Sequence, residues 1–339
     1  MTKDITTIGV DIAKHTFHLV FANQYGKPIQ RKQLNRTQFN ALIQTHEKTT
    51  FALEACGTSH YWARTIQQAG HQVKLINPAF VKPFVMSNKN DFNDATAIVV
   101  ASLQPTMRFV TPKSTEQQDI LVMHRIRERM VTQKTALINQ IRGLLAEFGI
   151  VIKGGAKNLI TELPFVLEAA ENGLSPLGRE QFHLLYQELI SMDQRLQAQS
   201  DKIESLAKQN PIASKLQKLP GVGFLTASAI SASVGDPLEF KNGRQFSAWL
   251  GLVPRQKSTG GKNILLGISK RGDGYLRRLL IQGALTAISR SKGSDSQITW
   301  AKKLRQSKCI QVAAVALANK TARIMWALMT HNKEYQVIA

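Results

Sequence analysis

Five short apolar stretches, three of them close together and the others separated by helical patterns, constrain the first hundred residues more than any other feature of the chain. The periodicity predicts strands over Ile5–Val10, His15–Ala22, Gln30–Leu34, Thr50–Glu54 and Gln72–Ile76. In the second, Phe17, Leu19 and Phe21 fall on one face, and Thr16, His18 and Val20 on the other. Helical spacing is predicted over Thr37–Lys48 (Phe39, Leu42, Ile43), Tyr61–Gln68 and Asp91–Leu103. A three-strand meander followed by helix-linked strands predicts an α/β sheet of ribonuclease H type.

Four carboxylates fall at telling places in that layout. Asp11 ends the first strand in GVDIAK, and Glu54 ends the fourth in ALEACGT. Asp91 and Asp94 lie one helical turn apart in NKNDFNDATA and share a face. Acids at two strand ends plus a helix pair can converge on one point. Clustered acids repel unless a cation holds them, and Mg2+, with its preference for hard oxygen ligands, answers that need. Two such ions about 4 Å apart would stabilise both the attacking and the leaving oxygen of a phosphodiester. A plainer reading has Asp11 and Glu54 capping turns while Asp91 and Asp94 favour a helix dipole. That reading serves any one acid better than all four. His15, His18 and His60 are read as structural or surface residues, not as ligands.

From about Pro112 the pattern turns helical. Gln117–Phe148 carries Met130, Leu137, Ile141, Leu144 and Phe148 at steps of three and four, with Arg125, Arg127, Arg129, Lys134 and Arg142 elsewhere on its surface. Phe182, Leu185, Leu189, Met192, Leu196, Ile203 and Leu206 follow a heptad-like pattern, with Gln199 in the seam. Two long helices predict an antiparallel coiled coil, with an ordinary bundle face as the alternative. The arginines either track a phosphate backbone or form a solvated face. Leu219-Pro220-Gly221-Val222-Gly223, followed by a helical FLTASAISASVG, resembles a helix-hairpin-helix turn, in which Gly221 and Gly223 let backbone N–H groups approach a phosphate. Helices are further predicted over Gly274–Arg290, Trp300–Leu304 and Val312–Met329.

Between them, Phe246–Arg278 sets Ser258-Thr259 on Gly260-Gly261 among Arg255, Lys257, Lys262, Lys270, Arg271, Arg277 and Arg278, with Asp273 the segment's only acid. Such a segment repels itself unless it meets a polyanion. A serine on a glycine turn among cations suits a phosphoryl-transfer nucleophile, and equally a turn-capping hydroxyl in a basic loop. The whole chain has the same bias: 44 Lys and Arg against 23 Asp and Glu give a net charge of +21, on a chain that is 43% hydrophobic and therefore globular. No apolar run approaches a membrane span and the N-terminus lacks a signal-peptide pattern, so nucleic acid is favoured over a membrane surface. Cys56 and Cys309 form neither a disulfide framework nor a zinc spacing, which fits a reducing cytoplasm.

GVDIAK, LEACGT, INPAFVK and NKNDFNDA together resemble the RuvC-like domain of IS110-family transposases. LPGVG, GRQFSAWLGLVPRQKSTGGK and GISKRGDGYLRRLLIQGA resemble the C-terminal transposase domain of the same family, and the Ser-Thr-Gly-Gly-Lys and NKND forms are most similar to its IS1111-like subgroup. The resemblance implies an Asp-Glu-Asp-Asp set on Asp11, Glu54, Asp91 and Asp94, and a catalytic serine on Ser258 with Thr259 as the competing placement. It also implies DNA strand exchange between donor and target, sequence choice by an element-encoded bridge RNA, and a homodimer that assembles to a tetramer. The expected organisation is a RuvC-like domain over residues 1–110, a helical coiled-coil region over 111–212 and a mostly helical transposase domain over 213–339. Two other readings use the same residues: a two-metal nuclease or junction resolvase with water as nucleophile, and a non-catalytic RNA- and DNA-binding protein.

Overall fold

The computed structural model describes residues 5–86, 90–291, 295–331 and 333–336. The chain divides into two compact units: residues up to Thr115 together with Val234–Lys241, and Glu116–Ser233 together with Asn242 onwards.

The first unit is built on a six-stranded sheet. Its elements run β1 (Thr7–Ile12), β2 (Thr16–Ala22), β3 (Pro28–Asn35), α1 (Arg36–Thr45), β4 (Thr50–Glu54), α2 (Ser59–Gln68), β5 (Gln72–Ile76), α3 (Pro78–Val81), α4 (Asp91–Ser102) and β6 (Phe109–Val110). The strand order is β3-β2-β1-β4-β5-β6, with β1, β4 and β5 mutually parallel and the others antiparallel to their neighbours. The meander and the helix-linked strands therefore stand where the periodicity puts them. The first strand starts two residues later than expected and extends through Asp11 and Ile12, because those residues pair with His18 and Phe17.

Alternation decides which helices cover which face. Phe17, Leu19 and Phe21 join Ile8, Phe39, Phe51 and Trp62 in a core beneath α1 and α2. Val20 and Ala22 pack with Ala95 and Val99 of α4 on the opposite face. The start of α1 is fixed by a capping box: the Asn35 side chain accepts from Gln38 N–H at 2.9 Å, and the Gln38 side chain accepts from Asn35 N–H at 2.9 Å. Gly9 sets how closely α4 lies on β1. A β-carbon there would sit 2.4 Å from the Ala95 carbonyl oxygen and 2.5 Å from Val99 Cγ2. Gly9→Ala should push α4 off the sheet and cost about 2–3 kcal/mol, read as a lowered denaturation midpoint.

Among the described residues, the second unit is helical apart from one hairpin: α5 (Thr115–Ala146), α6 (Ala156–Glu168), α7 (Pro176–Gln209), α8 (Pro211–Leu216), α9 (Phe224–Ser233), α10 (Gly243–Trp249), β7 (Pro254–Thr259), β8 (Lys262–Ile268), α11 (Gly274–Arg290), α12 (Ser296–Leu304) and α13 (Ile310–Thr330). α5 and α7 run antiparallel. Leu137, Ile141 and Leu145 share a core with Phe182 and Leu189, and Gln199 donates to the Met123 carbonyl at 3.0 Å. The arginine-rich surface of α5 is largely committed within the unit. Arg127 donates to Ser200 Oγ at 2.9 Å, Lys134 pairs with Asp193, and Arg142 binds the carbonyls of Gly154 and Gly155.

α13 is long and apolar enough, by length and composition, to cross a membrane, contrary to the sequence expectation. In the fold it buries Ala313, Ala314, Leu317, Ala318 and Met325, as a central helix of this unit does.

His124, buried on α5, is pinned by the Tyr275 hydroxyl and Ser228 Oγ, each at 2.8 Å. Burial, followed by the Arg127 charge, lowers its pKa from 6.5 to about 4. The unfolded chain takes up that proton near pH 6.5 and the folded chain only near pH 4, so stability falls as pH drops through this window. His124 should account for up to about 3 kcal/mol of that loss. His124→Gln, which keeps a polar side chain but does not titrate, should shrink the Tm drop measured between about pH 7 and about pH 5. His60 in the first unit, lowered to about 4 by burial and then by Lys113 and Arg64, leaves a residual slope in the variant.

Candidate functional site

β2, β1 and β4 are adjacent, and alternation turns His18, Asp11 and Glu54 toward the α4 face at one end of the sheet. The close approach allowed by Gly9 brings the N-terminus of α4 over the same end. There Asn90 caps the helix by accepting from Phe92 N–H at 2.9 Å, and Asp91 and Asp94 occupy the first turn. Ligand atoms of Asp11, His18 and Asp91 lie within 4.8 Å of one another. Glu54 has its pKa raised by burial first, then by the charges of Asp11 and Asp94. All four predicted carboxylates therefore belong to one electrostatic cluster. Of the NKNDFNDA motif, Asn88 and Lys89 lie outside the described residues.

The donor set fits a divalent cation. Burial, then the charges of Asp11 and Asp94, disfavour the ionised form of Glu54, and the Nδ1 atom of His18 is buried without a hydrogen bond. Cys56, two residues beyond Glu54, has its thiol pKa raised by burial and then by Glu54, so it stays protonated. His60 serves a structural purpose: the backbone N–H of Lys113 donates to its Nδ1 at 3.2 Å.

In the second unit, Ser258 lies on β7 rather than in a loop. β7 and β8 are joined by Gly260-Gly261, with φ of 56° and 77°, as a two-residue hairpin turn of type I′ requires. The register sets Ser258 opposite Asn263 and Thr259 opposite Lys262. Ser258 Oγ donates to Asn263 Oδ1 at 2.7 Å, while Gln256 Nε2 donates to Ser258 Oγ at 2.8 Å and to Asn263 Oδ1 at 3.1 Å. The Ser258 hydroxyl is thus oriented by two amides. Thr259 falls on the other face of the ribbon, with Lys257 and Lys262. Both strands are exposed, including Ile264 (54%), Leu265 (68%) and Leu266 (44%), a run of apolar surface that asks for a partner.

The other predicted cations differ in their surroundings. Arg255, Lys257, Lys262, Lys270 and Arg271 are exposed. Arg277 instead bridges the carbonyls of Leu250 at 3.2 Å and Arg271 at 3.3 Å, and Arg278 pairs with Glu128. Asp273 caps α11, accepting from Tyr275 N–H at 2.7 Å. In the Leu219–Gly223 turn, Gly221 has φ of 76° and backs onto α11, where a β-carbon would meet the Gly283 carbonyl oxygen at 2.5 Å. Gly223 faces open space.

The sequence reading left out three of these site residues. His18 is set aside there as a strand residue, although its alternation places it on the same face as Val20. Gln256 and Asn263 carry no motif, yet a two-residue Gly-Gly turn pairs Asn263 with Ser258 by counting alone.

Two family profiles match the chain: a transposase profile of DEDD type over residues 8–150, and the transposase IS116/IS110/IS902 family over residues 213–299. The first implies a RuvC-like fold for the sheet unit. The transposase for insertion sequence element IS1111A of Coxiella burnetii is 44% identical over 98% of this chain and 92% of its own length. The transposase for insertion sequence element IS1328 of Yersinia enterocolitica is 39% identical over 96% and 97%. A pilin gene-inverting protein of Moraxella bovis is 23% identical over 97% of both. With similarity running through both units, the chain belongs to the IS110/IS116/IS902 family of insertion-sequence transposases, enzymes that recombine DNA.

Proposed function

We propose that this transposase is an RNA-guided DNA recombinase that cuts through a serine nucleophile, with Mg2+ held by Asp11, Glu54, Asp91 and Asp94. The observation that carries the metal half is the approach of Asp11 and Asp91 at the N-terminus of α4, with the charges of Asp11 and Asp94 felt by Glu54 beside them. When bound, the cation neutralises charge on the phosphate and on the departing oxygen. The oriented hydroxyl of Ser258 supports the other half. Its oxygen bonds to phosphorus as the phosphorus–deoxyribose oxygen bond breaks, its proton passes to water, and the departing oxygen takes one up. One phosphodiester replaces another, so the strand can be rejoined without an external energy source. Arg255, Lys257, Lys262, Lys270 and Arg271, with Arg277 behind them, supply positive charge along the DNA or RNA backbone.

In this reading residues 1–110 hold the metal, and residues 213–339 bring the serine and a helix-hairpin-helix-like turn in which Gly221 seats the turn on α11 and the exposed Gly223 admits a phosphate backbone. Residues 111–212 fold α5 back on α7, and the outer faces of this antiparallel pair join subunits. Sequence choice by a bridge RNA, and a dimer that assembles to a tetramer on donor and target DNA, rest on the family resemblance and the charge of +21. The protein acts in the bacterial cytoplasm, at the nucleoid, without a membrane.

The test is cleavage of labelled DNA with the element's RNA and Mg2+, comparing wild type, Ser258→Ala, Thr259→Ala and Asp11→Asn for protein bound covalently to DNA. An adduct lost in Ser258→Ala and kept in Thr259→Ala supports the reading. Cleavage without an adduct that survives Ser258→Ala but not Asp11→Asn assigns the chemistry to water instead.

A further inference from the structure

The acid cluster contains one group that the four-carboxylate description leaves without a purpose. His18 stands opposite Asp11 in the antiparallel register of β1 and β2, on the strand flanking β1 on the side away from Glu54. Its side chain is only 12% exposed, and its Nδ1 lies 3.5 Å from Asp91 Oδ2. Even so, this buried nitrogen makes no hydrogen bond. Leaving a buried polar atom unsatisfied costs about 1–3 kcal/mol. The Phe92 ring meets the imidazole edge-on at 5.0 Å and helps keep it in place. A residue that only supported Asp91 would reach it with a well-formed hydrogen bond. This nitrogen instead faces the space between two carboxylates, with all three ligand atoms within 4.8 Å of one another. Octahedral ligands at about 2 Å from a cation lie about 3 Å apart when adjacent and about 4 Å apart when opposite, so the three atoms would draw together by about 1–2 Å around a bound ion.

We propose that His18 Nδ1 is a nitrogen ligand of the cation held by the carboxylate cluster, and that it shifts the site's preference from Mg2+ toward Mn2+. The inference rests on the metal reading above. Mg2+ favours oxygen ligands and gains little from an imidazole, whereas a transition ion such as Mn2+ accepts carboxylate and imidazole together. The site would then take Mn2+ more tightly than an all-oxygen cluster does.

Mn2+ bound to the full chain reports on this directly. Electron spin-echo envelope modulation detects 14N within the first coordination shell, and the free-ion resonance reports affinity. The expected result is 14N modulation in wild type that disappears in His18→Gln, with Mn2+ still bound but about tenfold more weakly. Bound Mn2+ without nitrogen modulation in wild type overturns the inference, as does modulation that persists in His18→Gln. If His18→Gln fails to fold, the wild-type spectrum together with Asp11→Asn decides, because modulation arising at this site vanishes when Asp11 is replaced. Asp11→Asn also separates the two levels of the argument. If it abolishes Mn2+ binding while wild type shows no nitrogen, the carboxylate site stands and only His18 falls. If it binds Mn2+ as wild type does, the metal reading falls as well.

Discussion

Ser258→Ala is expected to eliminate the covalent protein–DNA adduct and to lower strand cleavage by at least about 10^3-fold, because it removes the atom proposed to bond to phosphorus. Thr259→Ala serves as the internal comparison. The two hydroxyls are neighbours in sequence but face opposite sides of the ribbon, and only that of Ser258 is held by the amides of Gln256 and Asn263. Thr259→Ala should therefore keep the adduct, with any loss confined to weaker substrate binding on the Lys257 and Lys262 face. Folding does not confuse the comparison, since Ser258 is exposed and its removal leaves no buried group unpaired. The measurement is denaturing electrophoresis of labelled DNA with the element's RNA and Mg2+. An adduct that survives Ser258→Ala and is lost in Thr259→Ala would move the nucleophile by one residue.

Legibility in the sequence followed burial. β2 could be read because the partly buried polar Thr16 and His18 alternate with the buried Phe17 and Leu19, before Val20 and Ala22, buried on the opposite face from Phe21, turn its end into a continuous apolar run. The four acids could be read because each stands where a strand ends or a helix begins. β7 and β8 left no such trace. Their residues are exposed apart from a half-buried Ile268, so no alternation records them, and only the Gly260-Gly261 turn hints at a hairpin. The basic surface of α5 allowed two readings because charge pattern alone does not say what the charges meet. Asp193, Ser200 and the Gly154 carbonyl, which meet them, are distant in sequence. His18 reads from sequence as a strand residue and not a ligand because one histidine in a strand carries no pattern, and the register that sets it against Asp11 emerges only in the fold.

Glu54→Gln should stop cleavage while leaving the metal-free protein as stable as wild type, or more so. Glu54 is held in its neutral form more readily than an ordinary carboxyl, by burial first and then by Asp11 and Asp94. A carboxyl whose folded pKa is raised contributes stability at low pH and loses it as pH rises through the folded value. At neutral pH the metal-free cluster is therefore strained, and an amide in place of Glu54 relieves that strain. A bound divalent cation relieves it too, and a ligand present at 100 times its dissociation constant stabilises the fold by about 2.7 kcal/mol. Mg2+ should accordingly raise the Tm of wild type and do so more strongly as pH rises, because protons compete for the same carboxylates. Glu54→Gln should lose most of that gain. Cleavage should fall by about 10^2- to 10^4-fold, as the loss of several kcal/mol of charge stabilisation requires. Scanning calorimetry with and without Mg2+, at two pH values, separates this outcome from ordinary destabilisation. A variant less stable than wild type without metal, yet equally stabilised by Mg2+, would mean that Glu54 supports the fold and that the cation is held without it.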